Sequence, residues 1–175
     1  MEALLAELRD YVAAHPQLCF FRPGATVVEL DAAESTIGFS IPADYRLFLK
    51  SFNGGFISLV GRADEPDWDE STARWNSNTL FGAEELAAQY RDQRTIWEVD
   101  LKWPGRWPYL PFCHTSSQEL LVFGPNGGEE RPVLDAFHEV GPDEWGLLYP
   151  NFEDLLRAYL SGNGDMQIIS GLDDE

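Results

Sequence analysis

A chain of 175 residues with 44% hydrophobic and 13% aromatic residues has material for one domain with a sizeable core. Its formal net charge of −18 at pH 7 disfavours nucleic acid and anionic membranes as partners and favours basic proteins, whose approach it steers. Cys19 and Cys113 lie far apart without a CxxC pair, against a disulfide framework or a zinc site; no basic-plus-apolar leader and no spanning apolar run is present, so a cytoplasmic protein is expected. In chain order, residues 2–14 place Leu4, Leu8, Tyr11 and Val12 on one side of an amphipathic helix that His15-Pro16 ends. Residues 17–25 read as a connection, with a turn at Pro23-Gly24. Val27, Leu30, Ala33 and Ile37 recur at helical spacing, and Gly38 suits the left-handed position that closes the helix. Pro42 fits the first turn of a second helix, Asp44 complements its dipole, and Tyr45, Phe48, Leu49 and Phe52 form its apolar face before Asn53-Gly54-Gly55 stops it.

Phe56–Val60 reads as a short strand and residues 62–78 as a loop. Glu84–Arg94 makes a helix with Leu86 and Tyr90 inward, and Trp97–Trp107 is aromatic, broken by Pro104-Gly105. Tyr109–Cys113 and Glu119–Phe123 read as a hairpin around the polar turn at 114–118. A turn at Pro125-Asn126-Gly127-Gly128 and a third strand over Pro132–Val140 follow. Asn151 and Asp154 resemble a capping box ahead of Leu155, Leu156, Tyr159 and Leu160, with Gly162 closing that helix. Ile168 and Ile169 suggest a last extended segment, and Asp173, Asp174 and Glu175 a frayed end. No repeat or long linker divides the chain, which therefore reads as one α+β domain.

Glu34 and Gly38, then Ile41-Pro42-Ala43-Asp44-Tyr45, Phe48-Leu49 and Asn53-Gly54-Gly55, resemble the signature of the SUKH superfamily. Trp107–Phe112, Glu119–Phe123, Val133–His138 and the closing Phe152–Leu160 helix follow that family's order of elements. The resemblance covers residues 26–161, with residues 1–25 as an N-terminal helical extension and 162–175 as an acidic C-terminal tail. It implies a helical hairpin and further helices packed on a curved, mostly antiparallel sheet. Many bacterial members look like immunity proteins, which bind a polymorphic toxin, often a nuclease or deaminase, and block it. The resemblance thus implies a non-enzymatic protein that neutralises a basic toxin protein by direct stoichiometric binding. The other reading is an intracellular regulatory or scaffold module for endogenous proteins or a small ligand. The first 25 residues and the stretch 62–78 depart from the family and borrow no role from it.

Neither a catalytic set nor a metal or cofactor site emerges from the residues. His15, His114 and His138 have neither the i, i+4 nor the i, i+2 spacing of a metal pair. Cys113 and His114 are adjacent, so on a strand they face opposite ways. There is no nucleophile elbow, phosphate-cradling loop or dinucleotide fingerprint. Asp64, Glu65, Asp67, Asp69 and Glu70 supply alternate carboxylates but lack the Gly and terminal Glu of an EF-hand loop. With Trp68 they form the candidate partner-binding surface, charge steering around one aromatic anchor. The opposing reading folds Trp68 back on the core above a solvated loop. Trp75, Trp97, Trp103, Trp107 and Trp145 are expected mostly in the core, and Glu34 is expected to bond nearby backbone amides.

Overall fold

The computed structural model describes residues 1–125 and 131–166. Helix α1 (Glu2–Ala14) buries Leu4, Leu5 and Leu8 and packs on the last helix, α6 (Phe152–Ser161). Helix α2 (Val27–Ile37) starts on a reciprocal cap: the Glu29 amide donates to Thr26 Oγ1 at 3.2 Å, and the Thr26 amide donates to Glu29 Oε2 at 2.7 Å. Its buried stripe begins at Leu30, since Val27 is 60% exposed. Gly38 ends the helix at φ 77°, and the Arg106 guanidinium donates to the carbonyls of Ile37 and Gly38.

The second arm, α3 (Ala43–Ser51), differs from expectation at both ends. Pro42 is the residue before the helix rather than in its first turn, and Phe52 leaves the helix to open strand β2 (Phe52–Ile57). Asp44 sits in the first turn as expected and does more than complement the dipole. Its carboxylate accepts the Tyr45 amide at 2.8 Å and the Phe152 amide at 2.9 Å, so one side chain joins the start of α3 to the start of α6. Burial pushes its pKa up. Glu34 accepts the Ile41 amide at 3.0 Å across the turn and pairs with Arg46 at 3.3 Å, which locks the helical hairpin.

Seven strands form an open antiparallel sheet in sequence order, β1 to β7. They are β1 (Cys19–Pro23), β2, β3 (Thr79–Leu80), β4 (Leu110–His114), β5 (Leu120–Phe123), β6 (Val133–Ala136) and β7 (Gly146–Tyr149). Irregular pairing between Phe21 and Pro23, between Pro111 and Cys113, and between Val133 and Leu134 bends it. Residues 17–25 are therefore no mere connection, because β1 is the sheet's first strand. Strands β3 and β7 were not foreseen: β3 has only two residues, and Gly146–Tyr149 shows no alternating pattern. The Asn126-Gly127-Gly128 part of the expected turn, the expected Ile168-Ile169 segment and Asp173–Glu175 lie outside the described residues.

Helices α3 and α6 pack on the sheet and on each other, while α5 (Ala83–Arg94) lies along β4 and carries α2. Three buried tyrosine hydroxyls tie these helices to the sheet. Tyr45 Oη lies 2.6 Å from the Phe81 carbonyl and 3.1 Å from that of Phe112. Tyr159 accepts the Ile57 amide at 2.8 Å and donates to the Asn78 carbonyl at 3.1 Å. Tyr90 on α5 donates to the Trp107 carbonyl at 2.8 Å. The rings of Tyr45, Phe48, Phe112, Phe123 and Phe152 meet edge to face and stacked between α3, α6 and the sheet. This is the single α+β domain that the sequence implied.

Candidate binding surface

The acidic segment is built in two halves. In the first, Arg62 forks onto Asp64 with bonds of 2.9 and 3.0 Å, and this pairing holds the Asp64 carboxyl below the usual carboxylate range. The Ala63 amide donates to the Gln17 carbonyl at 3.0 Å, anchoring the segment ahead of β1. In the second half, Asp69 accepts the Thr72 amide at 2.7 Å and caps helix α4 (Glu70–Trp75). The expected loop over 62–78 therefore contains a helix. Glu65, Asp67 and Glu70 are exposed and accept no side-chain hydrogen bond among the described residues. Trp68, between the halves, is half-buried and turned inward, its ring stacked on Phe20 at 4.8 Å, while Phe20 stacks on Phe56 at 5.0 Å. The outward aromatic of this stretch is Trp75, 54% exposed and 4.7 Å from the His114 ring, where a core position was expected.

Strand register shows what Trp68 covers. Directly paired residues in neighbouring strands point to the same face. Phe20, Phe56, Thr79, His114, Leu120 and Ala136 thus form one row across the sheet. Phe21, Gly55, Leu80, Cys113, Leu121 and Asp135 form the adjacent row on the opposite, core face. Trp68 closes the β1–β2 end of the first face. Beyond Thr79 that face opens into a groove of ≈540 Å³ between α4, α5 and the sheet, with Trp75, Gln89, His114 and Leu120 among its walls. A second groove of ≈370 Å³ continues from Leu120 past Val122 to Trp97, Trp145 and Phe137. The two meet at Leu120.

The aromatics at the far end form a cluster of their own. Trp97 stacks on Trp107 at 4.6 Å, and Trp145 stands edge-on to both. Trp107 is buried, whereas Trp97 and Trp145 are half-buried at the groove margin and Trp103 is half-buried behind them. Ile96 and Leu101, on and just after the π-helical turn (Thr95–Asp100) that continues α5, are 42% and 58% exposed, and Phe137 is 37% exposed. Sequence reasoning missed this surface because it exists only through cross-strand register; the sole local hint was the polar pair Thr79 and His114 on otherwise apolar strands.

The titrating groups on these faces are quiet. Burial, and then the Arg74 charge, pushes the His114 pKa down, so the imidazole is neutral near pH 7. Arg22 and Arg74 both pair with Glu85 at 2.6 Å, so two cations share one carboxylate there. Burial raises the Cys19 thiol to about 11 and pushes Cys113 further up, leaving both thiols protonated and unreactive. Cys113 stands on the core row and His114 on the open row, as their adjacency required. No group of three or more metal-ligating side chains occurs among the described residues. None of their helices is long and apolar enough to cross a membrane.

An antiparallel meander that carries a Glu34-braced helical hairpin and leaves part of one sheet face open defines a class: small α+β domains that present a surface. The chain belongs to the SMI1/KNR4 family (SUKH-1), a model of which matches residues 24–158. No curated protein matches it significantly. Helix α1 precedes the matched residues, yet its leucines lie in the same core as Tyr45 and Phe152. Membership is consistent with an immunity-type, non-catalytic binding protein.

Proposed function

We propose that this protein neutralises a cognate polymorphic toxin, of nuclease or deaminase type, by direct stoichiometric binding in the cytoplasm. Family membership supports the class of activity. The observation that carries the reading is the net charge of −18, combined with exposed carboxylates on a segment anchored at both ends. A nuclease is basic where it holds nucleic acid, and an acidic partner can occupy that site by charge complementarity. Asp64, Glu65, Asp67, Asp69 and Glu70, around Trp68, are the candidate contact; Glu65, Asp67 and Glu70 are the members whose carboxylates hold no side-chain hydrogen bond among the described residues.

Affinity capture of the tagged chain from its own cells, at low and at high salt, tests the reading. The expected result is one near-stoichiometric basic partner, retained less well at high salt. Several substoichiometric housekeeping partners would overturn it in favour of a regulatory module. For the contact itself, Glu65→Lys with Glu70→Lys should weaken the captured complex by about tenfold or more. Thermal unfolding should change little, because neither carboxylate holds a bond and the first-turn charge of Glu70 on α4 is worth no more than about 1 kcal/mol. Unchanged affinity would remove the segment from the interface.

A further inference from the structure

The open sheet face is a second feature with the makings of an interface, separate from the acidic segment at its margin. Large exposed apolar side chains are not scattered over it but edge it: Trp75 at 54% exposure, Ile96 at 42%, Leu101 at 58% and Phe137 at 37%. Between them the floor is apolar, running through Leu120 and Val122 to Trp145. Each groove has room for one or two large side chains, and Leu120 forms a wall of both, so they lie end to end as a trough along the sheet face. An apolar centre with a charged rim is the anatomy of a protein interface.

The rim sets the sign of what fits. Asp100 neighbours Leu101, Glu139 neighbours Val140, Glu144 neighbours Trp145, and Asp143 adds to the effect of burial in raising the Tyr109 pKa. Glu98 and Glu119 are taken up by Arg94 at 2.8 Å and His138 at 2.6 Å, whereas Asp100, Glu139, Asp143 and Glu144 form no ion pair among the described residues. Against Lys102, these carboxylates leave the Leu101–Trp145 end of the rim net negative.

We propose that this trough, from Trp75 to Trp145, docks a segment of a protein partner that carries large apolar side chains between Lys or Arg residues. The inference rests on the binding reading above and adds to it a surface and the chemistry of the occupant. Apolar side chains fill the trough, and flanking cations meet the rim carboxylates.

The test follows the indole N–H signals of the full chain by NMR while a short peptide of alternating Leu and Lys is added. Trp75, Trp97 and Trp145 should shift and Trp68 should not. Trp75→Ser and Phe137→Lys, both at exposed positions, should each weaken the peptide by about tenfold. A Ser/Lys peptide and a Leu/Glu peptide should bind far more weakly, the first lacking the apolar side chains and the second the charge. Equal binding of the Ser/Lys peptide, shifts confined to residues 64–70, or no shift at all would each overturn the trough. Shifts confined to 64–70 would leave the acidic contact standing. Groove binding by the peptide, in a protein that captures no basic partner from its cells, would keep the trough and sink the toxin reading instead.

Discussion

Tyr159 shows how much a single hydroxyl can hold at the residue scale. It takes the Ile57 amide and gives its proton to the Asn78 carbonyl inside the core. Tyr159→Phe keeps the ring but leaves two buried backbone groups without partners, and should cost about 1–3 kcal/mol in urea unfolding. Asp135 is the opposite case, a half-buried carboxylate whose Oδ1 has no partner among the described residues. Burial, and then the Glu119 charge, raises its pKa. The native state therefore binds more protons than the unfolded chain between the ordinary and the raised value, and stability falls as pH rises through that window. Asp135→Asn removes the charge and should raise the urea midpoint at pH 7. The gain should vanish at about pH 3, where the carboxyl is protonated in both states. Trp68 also belongs here, because Trp68→Ala strips the cover from Phe20 and Phe56 and should cost about 2 kcal/mol. A reversal of Asp67 and Asp69 combined with loss of Trp68 would confound binding with unfolding; Glu65 and Glu70 are the clean positions.

Helix α4 depends on one carboxylate at the scale of the element. With six residues it is too short to persist on propensity, so the Asp69 cap and burial of Ala73 hold it. Asp69→Ala should lower protection of the α4 amides in hydrogen exchange by about 1 kcal/mol, while Asp69→Asn keeps the acceptor and most of the protection. The Asn53-Gly54-Gly55 stretch works at the same scale, inside β2 rather than as a helix stop. Asn53 Oδ1 accepts the Ala83 amide at 2.8 Å at the start of α5. Gly54, at φ 78°, lets the Gly82 backbone approach so closely that an added Cβ would lie 2.3 Å from its nitrogen. The Leu80 oxygen and the Phe81 carbonyl carbon would lie at 2.8 Å, and all three atoms are backbone and cannot swing away. Gly54→Ala should cost at least about 2 kcal/mol, read as lost soluble yield or an earlier unfolding midpoint.

Charge dominates at the scale of the whole molecule. With 30 acidic residues against 12 basic ones, repulsion summed over the surface outweighs the exposed ion pairs, each of which contributes little. Salt screens that repulsion over a Debye length of about 10 Å at 0.1 M. The melting temperature should therefore rise between low and moderate sodium chloride, the reverse of what a protein held by surface ion pairs would do. Scanning calorimetry at two salt concentrations decides it. The same salt should weaken capture of a basic partner, so stability and binding are expected to move in opposite directions.

What the residues determined alone was whatever depends on neighbours along the chain: the stripe of Leu30, Ala33 and Ile37, the left-handed stop at Gly38, and the hairpin brace at Glu34. The β4–β5–β6 meander was legible for the same reason, since its strands are long enough to carry a pattern. Phe52 fits the helical spacing of α3 equally well, and only pairing with β1 assigned it to a strand. Strands β1, β3 and β7 exist because a neighbouring strand offers hydrogen-bond partners, a condition no local window contains. Trp68 and Trp75 sit in similar acidic, aromatic surroundings along the chain. One is turned inward because Phe20 lies under it, and the other faces out beside His114. The open trough is the extreme case. Its floor comes from β4, β5 and β6 and its rim from three separate connections, so only tertiary structure, which sets the register between strands, brings those residues onto one surface.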